Sequence, residues 1–228
     1  MPPDVDLIRL CVLLHDGVDP APRGSTPLPA WTALVQSWLG PVGHVRAGDV
    51  DVLIWPGTKE LIDIWIDGDA VPIEMARLWK VHAGFMAKPL DLKGRLDVLL
   101  GSTSQLIIAG HSKGAAEALN YGALRIIEGK PVRAIVTFGC PMPGCQPMKD
   151  LLAPVPIRNY RNQVALTSTV SDDIDPVTTV PFPVPIEFPC LEMRGFTPIV
   201  GAPAPGDTGR FRLHHGPQYY AGMRALHT

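Results

Sequence analysis

Positive charge is in short supply. Twenty Lys and Arg stand against twenty-two Asp and Glu in 228 residues, a formal net charge of −2. A chain with no basic excess has nothing to displace counterions along a phosphate backbone, so nucleic-acid binding is excluded. Long apolar runs are missing as well: none approaches the roughly 18 to 20 residues needed to cross a bilayer, and the best are strand-length segments such as Leu106–Ala109. The opening Met1-Pro-Pro-Asp-Val-Asp6 lacks the basic region and apolar stretch of an export signal, and the expectation is a soluble, cytoplasmic protein. The four cysteines, Cys11, Cys140, Cys145 and Cys190, are too few and too scattered for a disulfide scaffold, and none forms a zinc spacing pair. Cys140 and Cys145 flank Pro-Met-Pro-Gly and read as buried or idle thiols.

Apolar material is ample. Hydrophobic residues make up 46% and charged residues 18%, which suits a globular chain, and the length suits one domain over residues 1–228. Apolar runs of strand length recur at 7–14, 50–55, 106–109 and 134–138, each bounded by Gly, Pro or polar turn residues. Helix-like spacing of three and four occupies 31–39, 70–85 and 115–128. Strands alternating with helices imply an α/β fold, a mostly parallel central sheet with helices on both faces. Beyond about Pro154 the prolines crowd together, from Pro176 to Pro205. Regular helix cannot persist there, and the segment reads as extended chain lying over the same core.

The strongest local signal is Gln105-Leu-Ile-Ile-Ala-Gly110-His111-Ser112-Lys113-Gly114-Ala-Ala-Glu-Ala-Leu119. An apolar strand runs directly into Gly-x-Ser-x-Gly, and an Ala-rich helix follows. Such a turn brings strand and helix backbones close together, which requires glycine, and leaves its central residue strained with its side chain exposed. Ser112 takes that apex as a nucleophile, next to a helix N-terminus whose N–H groups favour the oxyanion formed on a carbonyl. A phosphate-binding loop is excluded, because Gly-x-x-x-x-Gly-Lys-Ser/Thr is absent.

With this elbow and further motifs in order along the chain, the sequence resembles the class 3, fungal-type triacylglycerol lipases of the α/β-hydrolase superfamily, which include some feruloyl esterases. Val52-Leu-Ile-Trp-Pro-Gly57-Thr58 is similar to the family's strand ending in Phe-Arg-Gly-Thr/Ser, and Asp63-Ile-Trp65-Ile-Asp67 to its Asp-Trp-x-x-Asp. Val81-His82-Ala-Gly84-Phe85 matches Val-His-x-Gly-Phe, and Thr137-Phe-Gly139-Cys-Pro141 matches Thr-Phe-Gly-x-Pro. Pro56 and Lys113 depart from the pattern, standing where the family often has Arg and a small residue or Leu, and one extra residue separates Asp63 from Trp65.

The resemblance implies a Ser, acid, His order for the triad. Among the acids after Ser112, Asp175 is chosen because it opens an Asp-Pro-Val segment like the family's and because Pro176 stiffens the turn presenting it; Asp172 and Asp173 are the alternatives. In Leu213-His214-His215-Gly-Pro-Gln-Tyr219, which resembles the family's terminal segment, His215 aligns with the base and His214 is the alternative. His82 reads as a hydrogen-bonded structural residue, His111 as packing beside the nucleophile, and His15 as a turn residue. The oxyanion hole combines the backbone N–H groups of Thr58 and Lys113. Residues 59–80 form either an amphipathic flap or an ordinary core helix.

The implied activity is carboxylic ester hydrolysis through an acyl-enzyme, with no cofactor and no metal. Partners are then a small-molecule or lipid ester, with at most transient contact at a lipid interface. Short- to medium-chain acyl esters are expected to be preferred. Two alternatives share these residues: a catalytically inactive relative serving as a binding protein, and an acyltransferase.

Overall fold

Val50–Trp55 and Leu106–His111 are buried at every position, which a strand achieves only where both faces of its sheet are covered. The computed structural model describes residues 3–17, 28–58, 72–75, 79–163, 197–200, 214 and 216–226. Its strands are β1 (Ala33–Val35), β2 (Val42–Ala47), β3 (Val50–Trp55), β4 (Pro72–Met75), β5 (Trp79–His82), β6 (Leu106–His111), β7 (Ala134–Phe138), β8 (Ile157–Gln163) and β9 (Thr197–Val200). The helices are α1 (Asp4–His15), α2 (Ala83–Leu100), α3 (Lys113–Ile127), α4 (Gln146–Leu151) and α5 (Gly216–Leu226).

A seven-stranded sheet has the order β1-β2-β3-β6-β7-β8-β9, and β4 and β5 form a separate hairpin. Pairing is parallel from β3 through β9 and antiparallel at the β1-β2-β3 edge. Successive strand residues face opposite sides, and two cores result. Leu53, Trp55, Ile108 and Ile135 pack against Phe85, Leu92 and Leu96 of α2 and Ala116 and Leu119 of α3. Val52, Ile54, Ile107, Ala109 and Val136 pack against Leu7, Leu10 and Cys11 of α1 and Tyr219 and Met223 of α5. The fold is the expected α/β sheet covered on both faces.

Three element expectations are corrected. Residues 7–14 are not a strand but the body of α1. Its buried Leu7, Cys11 and Leu14 recur at helical spacing, Asp4 and Asp6 complement the positive helix start, and Gly17 at φ 70° follows the end. Residues 31–39 are not helical: β1 pairs with β2, which satisfies its backbone, and Leu34 and Trp38 stay 46% and 79% exposed. Within 70–85, the described residues 72–75 and 79–82 form the β4–β5 pair rather than a helix. Pro72 there pairs with His82 and Met75 with Trp79. A helix does begin at Ala83, where the His82 ring accepts the Gly84 N–H through Nδ1 at 3.1 Å. That is the structural role expected of His82.

Beyond Pro154, β8 and β9 are extended, but as hydrogen-bonded strands of the sheet itself rather than as chain lying over the core, while residues 164–196 and 201–213 lie outside the described residues. Cys11 and Cys140 are buried and Cys145 is half-buried, and burial pushes the Cys11 thiol up; Cys190 falls outside the described residues. No helix among the described residues is long and apolar enough to cross a membrane.

Candidate active site

Ser112 joins β6 to α3 at φ 57°, ψ −129°, and is the one non-glycine with positive φ among the described residues. Serine avoids this region because its Cβ crowds the backbone, so the surrounding structure has to hold it there. The Ser112 N–H donates to the carbonyl of Phe138 at the end of β7 (2.9 Å), and the Ser112 carbonyl accepts from the Ala115 N–H (2.9 Å).

Both glycines of the elbow are needed for close backbone approach. A Cβ on Gly110 would overlap the carbonyl of Gly114, and a Cβ on Gly114 would overlap the carbonyls of Trp55 and Pro56. The second contact follows from register, since Trp55 lies opposite Gly110 in the β3–β6 ladder and residues 56–58 therefore run beside the elbow. Gly57 abuts the nucleophile: a Cβ there would lie 3.2 Å from Ser112 Cβ and 3.0 Å from His111 Nδ1. Thr58 follows it, half-buried. Lys113 is the first residue of α3, so its N–H has no carbonyl one turn back to bond.

Contrary to the expected exposure, the Ser112 side chain is fully buried, with Gly57 packed close against it, and among the described residues its hydroxyl has no hydrogen-bond partner. His111, expected beside the nucleophile, donates through Nε2 to the carbonyl of His214 at 2.8 Å. Its ring stacks on that of His214 at a centroid distance of 5.1 Å and meets Tyr219 edge-on at 5.5 Å. These contacts bring the segment entering α5 to the elbow, and His214 is buried there. His215 and Asp175 lie outside the described residues.

Two hollows flank Thr58. One of about 110 Å³ is bounded by Cys11, Val12, His15, His111, His214 and Gly216. The other, about 260 Å³, is lined by Leu14, His15, Leu39, Gly40, Pro41, Pro56, Gly57, Lys88, Lys113 and Glu117 as well as Thr58. His15, read from the sequence as a turn residue, ends α1 and borders both hollows.

The larger cleft contains a charge group that sequence reasoning missed. Lys88 Nζ lies 3.6 Å from Glu117 Oε2, and Lys113 Nζ lies 3.2 Å from Glu117 Oε1. Burial pushes the Glu117 carboxyl up against the opposing pull of Lys88 and Lys113, and burial lowers Lys88 against the pull of Glu117. The available signal was a charged residue on an otherwise apolar helix face, Lys88 after Phe85-Met86 and Glu117 among alanines, with Lys113 and Glu117 one turn apart. Among the described residues no group of three or more His, Cys, Asp or Glu is arranged to hold a metal ion.

No family model matches the sequence, and no curated protein matches it. Solved structures do. The chain superposes on the mono- and diacylglycerol lipase from Aspergillus oryzae with a TM-score of 0.57 at 14% identity, covering 79% of this chain and 75% of that one. For the lipase from Rhizopus microsporus var. chinensis the values are 0.54 and 18%, over 70% and 64%. For the triacylglyceride lipase of Rhizomucor miehei they are 0.50 and 16%, over 63% and 62%. The match thus spans less than two thirds of the Rhizomucor and Rhizopus chains. These neighbours are the fungal lipases that the motifs resemble, and the likeness establishes the α/β-hydrolase fold.

Proposed function

We propose that the chain is a serine carboxylic-ester hydrolase in which Ser112 is the nucleophile, His215 the base and Asp175 the acid. The observation that carries this reading is the backbone of Ser112, held in a strained conformation between β6 and α3 with its hydroxyl engaged by no described residue. Strain of this kind persists only where surrounding structure enforces it, and a strand-to-helix elbow is where a nucleophilic oxygen has use for it.

In the proposed reaction Ser112 Oγ attacks the ester carbonyl while the imidazole accepts its proton, and the carboxylate orients the ring and stabilises the imidazolium. The N–H groups of Lys113 and Thr58 receive the oxyanion of the tetrahedral intermediate. The intermediate collapses with proton transfer from the imidazolium to the leaving alcohol. Water then enters by the same route to release the acid from the serine. No step calls for a metal or cofactor. As bounded by the described residues, the two hollows lie below the roughly 300 to 1,000 Å³ common for drug-sized ligands, which supports short- to medium-chain acyl esters as substrates.

The test is hydrolysis of p-nitrophenyl acetate and butyrate by the wild type and Ser112→Ala. Equal rates would overturn the proposal. A serine-directed fluorophosphonate separates a working enzyme from an inactive relative that only binds, since it labels only an activated serine. One observation favours a second assignment of the base: His214 is buried against His111 and borders the hollow next to Thr58.

A further inference from the structure

Resting on the ester-hydrolase reading, we propose that the cleft beside Ser112 selects esters that carry a carboxylate, which Lys88 and Lys113 receive. Lys88 comes from α2, while Lys113 and Glu117 come from successive turns of α3. All three line the same cleft as Gly57 and Thr58, the residues that run beside the elbow. Two ammonium groups therefore share one carboxylate at 3.6 and 3.2 Å, and among the described residues one positive charge is left over in the wall of the cleft.

The charges are deeply placed. Side-chain exposure is 3% for Lys88, 2% for Glu117 and 12% for Lys113. Burying such a group adds little stability compared with apolar residues of the same volume, and a site for an uncharged fatty acyl chain gains nothing from it. A substrate carboxylate gains a good deal, because the apolar walls formed by Leu14, Leu39 and Pro56 focus the field of the surplus cation. Lys88 retains donor capacity for it: the ammonium has three protons, one directed to the Pro41 carbonyl at 3.0 Å and one side facing Glu117. Lys113, the most exposed of the three, presents the other ammonium beside the backbone N–H assigned to the oxyanion.

The matched substrates are p-nitrophenyl hydrogen glutarate and its methyl ester, which differ in one negative charge. In the wild type kcat/KM should favour the charged substrate on the order of tenfold, the scale of one charge-assisted hydrogen bond. Lys88→Met and Lys113→Met should each bring the ratio toward one, the latter keeping its backbone N–H. Glu117→Gln removes the offsetting charge and should raise the ratio. Lys113→Gln serves as a further variant if circular dichroism shows that Lys88→Met does not fold.

A second arm does not need turnover. Monomethyl and dimethyl glutarate are titrated into Ser112→Ala by 1H–15N shift perturbation, with the monoester expected to bind more tightly and Lys113→Met to erase the difference. Hydrolysis of the uncharged ester with no preference for the charged one, together with equal binding, overturns the anion site and leaves the hydrolase reading standing. Tight monoester binding in a protein that hydrolyses neither ester supports the site and overturns the hydrolase reading.

Discussion

The side-chain amide of Asn120 in α3 donates to the backbone carbonyl of Phe85 in α2 at 3.2 Å, and that carbonyl is the one Pro89 leaves without its helical donor. Pro89 sits inside α2, four residues after Phe85, and has no N–H to give. Asn120 thus replaces a missing helix bond and ties the two helices covering one face of the sheet. Asn120→Leu should cost about 1 to 3 kcal/mol by urea denaturation. Pro89→Ala supplies the missing N–H, so the loss should shrink in that background; strict additivity in the double-mutant cycle would contradict this account.

Loss of the proposed triad should be nearly as severe at either working member. Ser112→Ala and His215→Ala should each lower p-nitrophenyl butyrate turnover about 10⁴-fold or more, because the members act as a unit. His214→Ala should leave most of the rate, and Asp175→Asn should be severe but milder than loss of the serine. A dead His214 variant beside an active His215 variant would move the base by one residue.

The glycines divide by surroundings. Gly110→Ala and Gly114→Ala force a methyl group into backbone carbonyls and should destabilise by about 1 to 3 kcal/mol, with activity falling as the elbow shifts. Gly94, exposed inside α2 with nothing within 4 Å of an added Cβ, should do the opposite: Gly94→Ala should stabilise by about 0.5 to 1 kcal/mol. Chemical denaturation of the three variants checks both signs.

Far from the elbow, Asp51 and His44 form a buried pair at 2.9 Å. Burial alone would raise the Asp51 carboxyl, but hydrogen bonds from Thr103 and His44, with the charges of His44 and Arg46, hold it below the usual carboxylate range. A depressed folded-state pKa contributes stability above the unfolded value of about 3.9, and that contribution disappears as pH falls through the folded value. Asp51→Asn should therefore cost about 1 to 3 kcal/mol at pH 5 and progressively less below about pH 4. A gap that stays constant from pH 5 to pH 3 would rule out this linkage.

Acyl-chain preference should reflect the small hollows around Thr58. A p-nitrophenyl ester series should peak between C2 and about C8, the range expected of sites smaller than typical ligand pockets. A maximum at C16 or beyond, with activation at an oil–water interface, would contradict it.

The parts of the molecule that sequence reading recovered are those where one local pattern had one outcome. The apolar runs of β3, β6 and β7 fit burial on both faces, and Gly-x-Ser-x-Gly fits one kind of turn. Where local pattern and tertiary role diverge, the reading failed. Residues 7–14 are apolar enough for a strand, and only the spacing of Leu7, Cys11 and Leu14 distinguishes α1. The helical spacing of 31–39 is put to no use, because that segment completes the edge of the sheet by pairing with β2. Pro89 and Gly94 hid α2, since the bond that compensates for Pro89 comes from Asn120, thirty-five residues away in sequence. The charges at Lys88 and Glu117 belong to one cleft only because α2 and α3 cross the same face of the sheet.

The packing of α1 against α5, with Leu7 and Leu10 in one core with Tyr219 and Met223, has a kinetic consequence. These helices are separated by nearly the whole described chain, and the carboxylate of Asp4 lies 154 and 156 residues from its partners Arg158 and Tyr160 in β8, at 2.6 Å each. Contacts of such long range require large loops to close, and they form late. His111, the neighbour of the nucleophile, is among the groups that wait, because its ring rests on His214 and Tyr219. During refolding, recovery of helical signal should run ahead of recovery of catalysis, the second appearing only when the final helix docks.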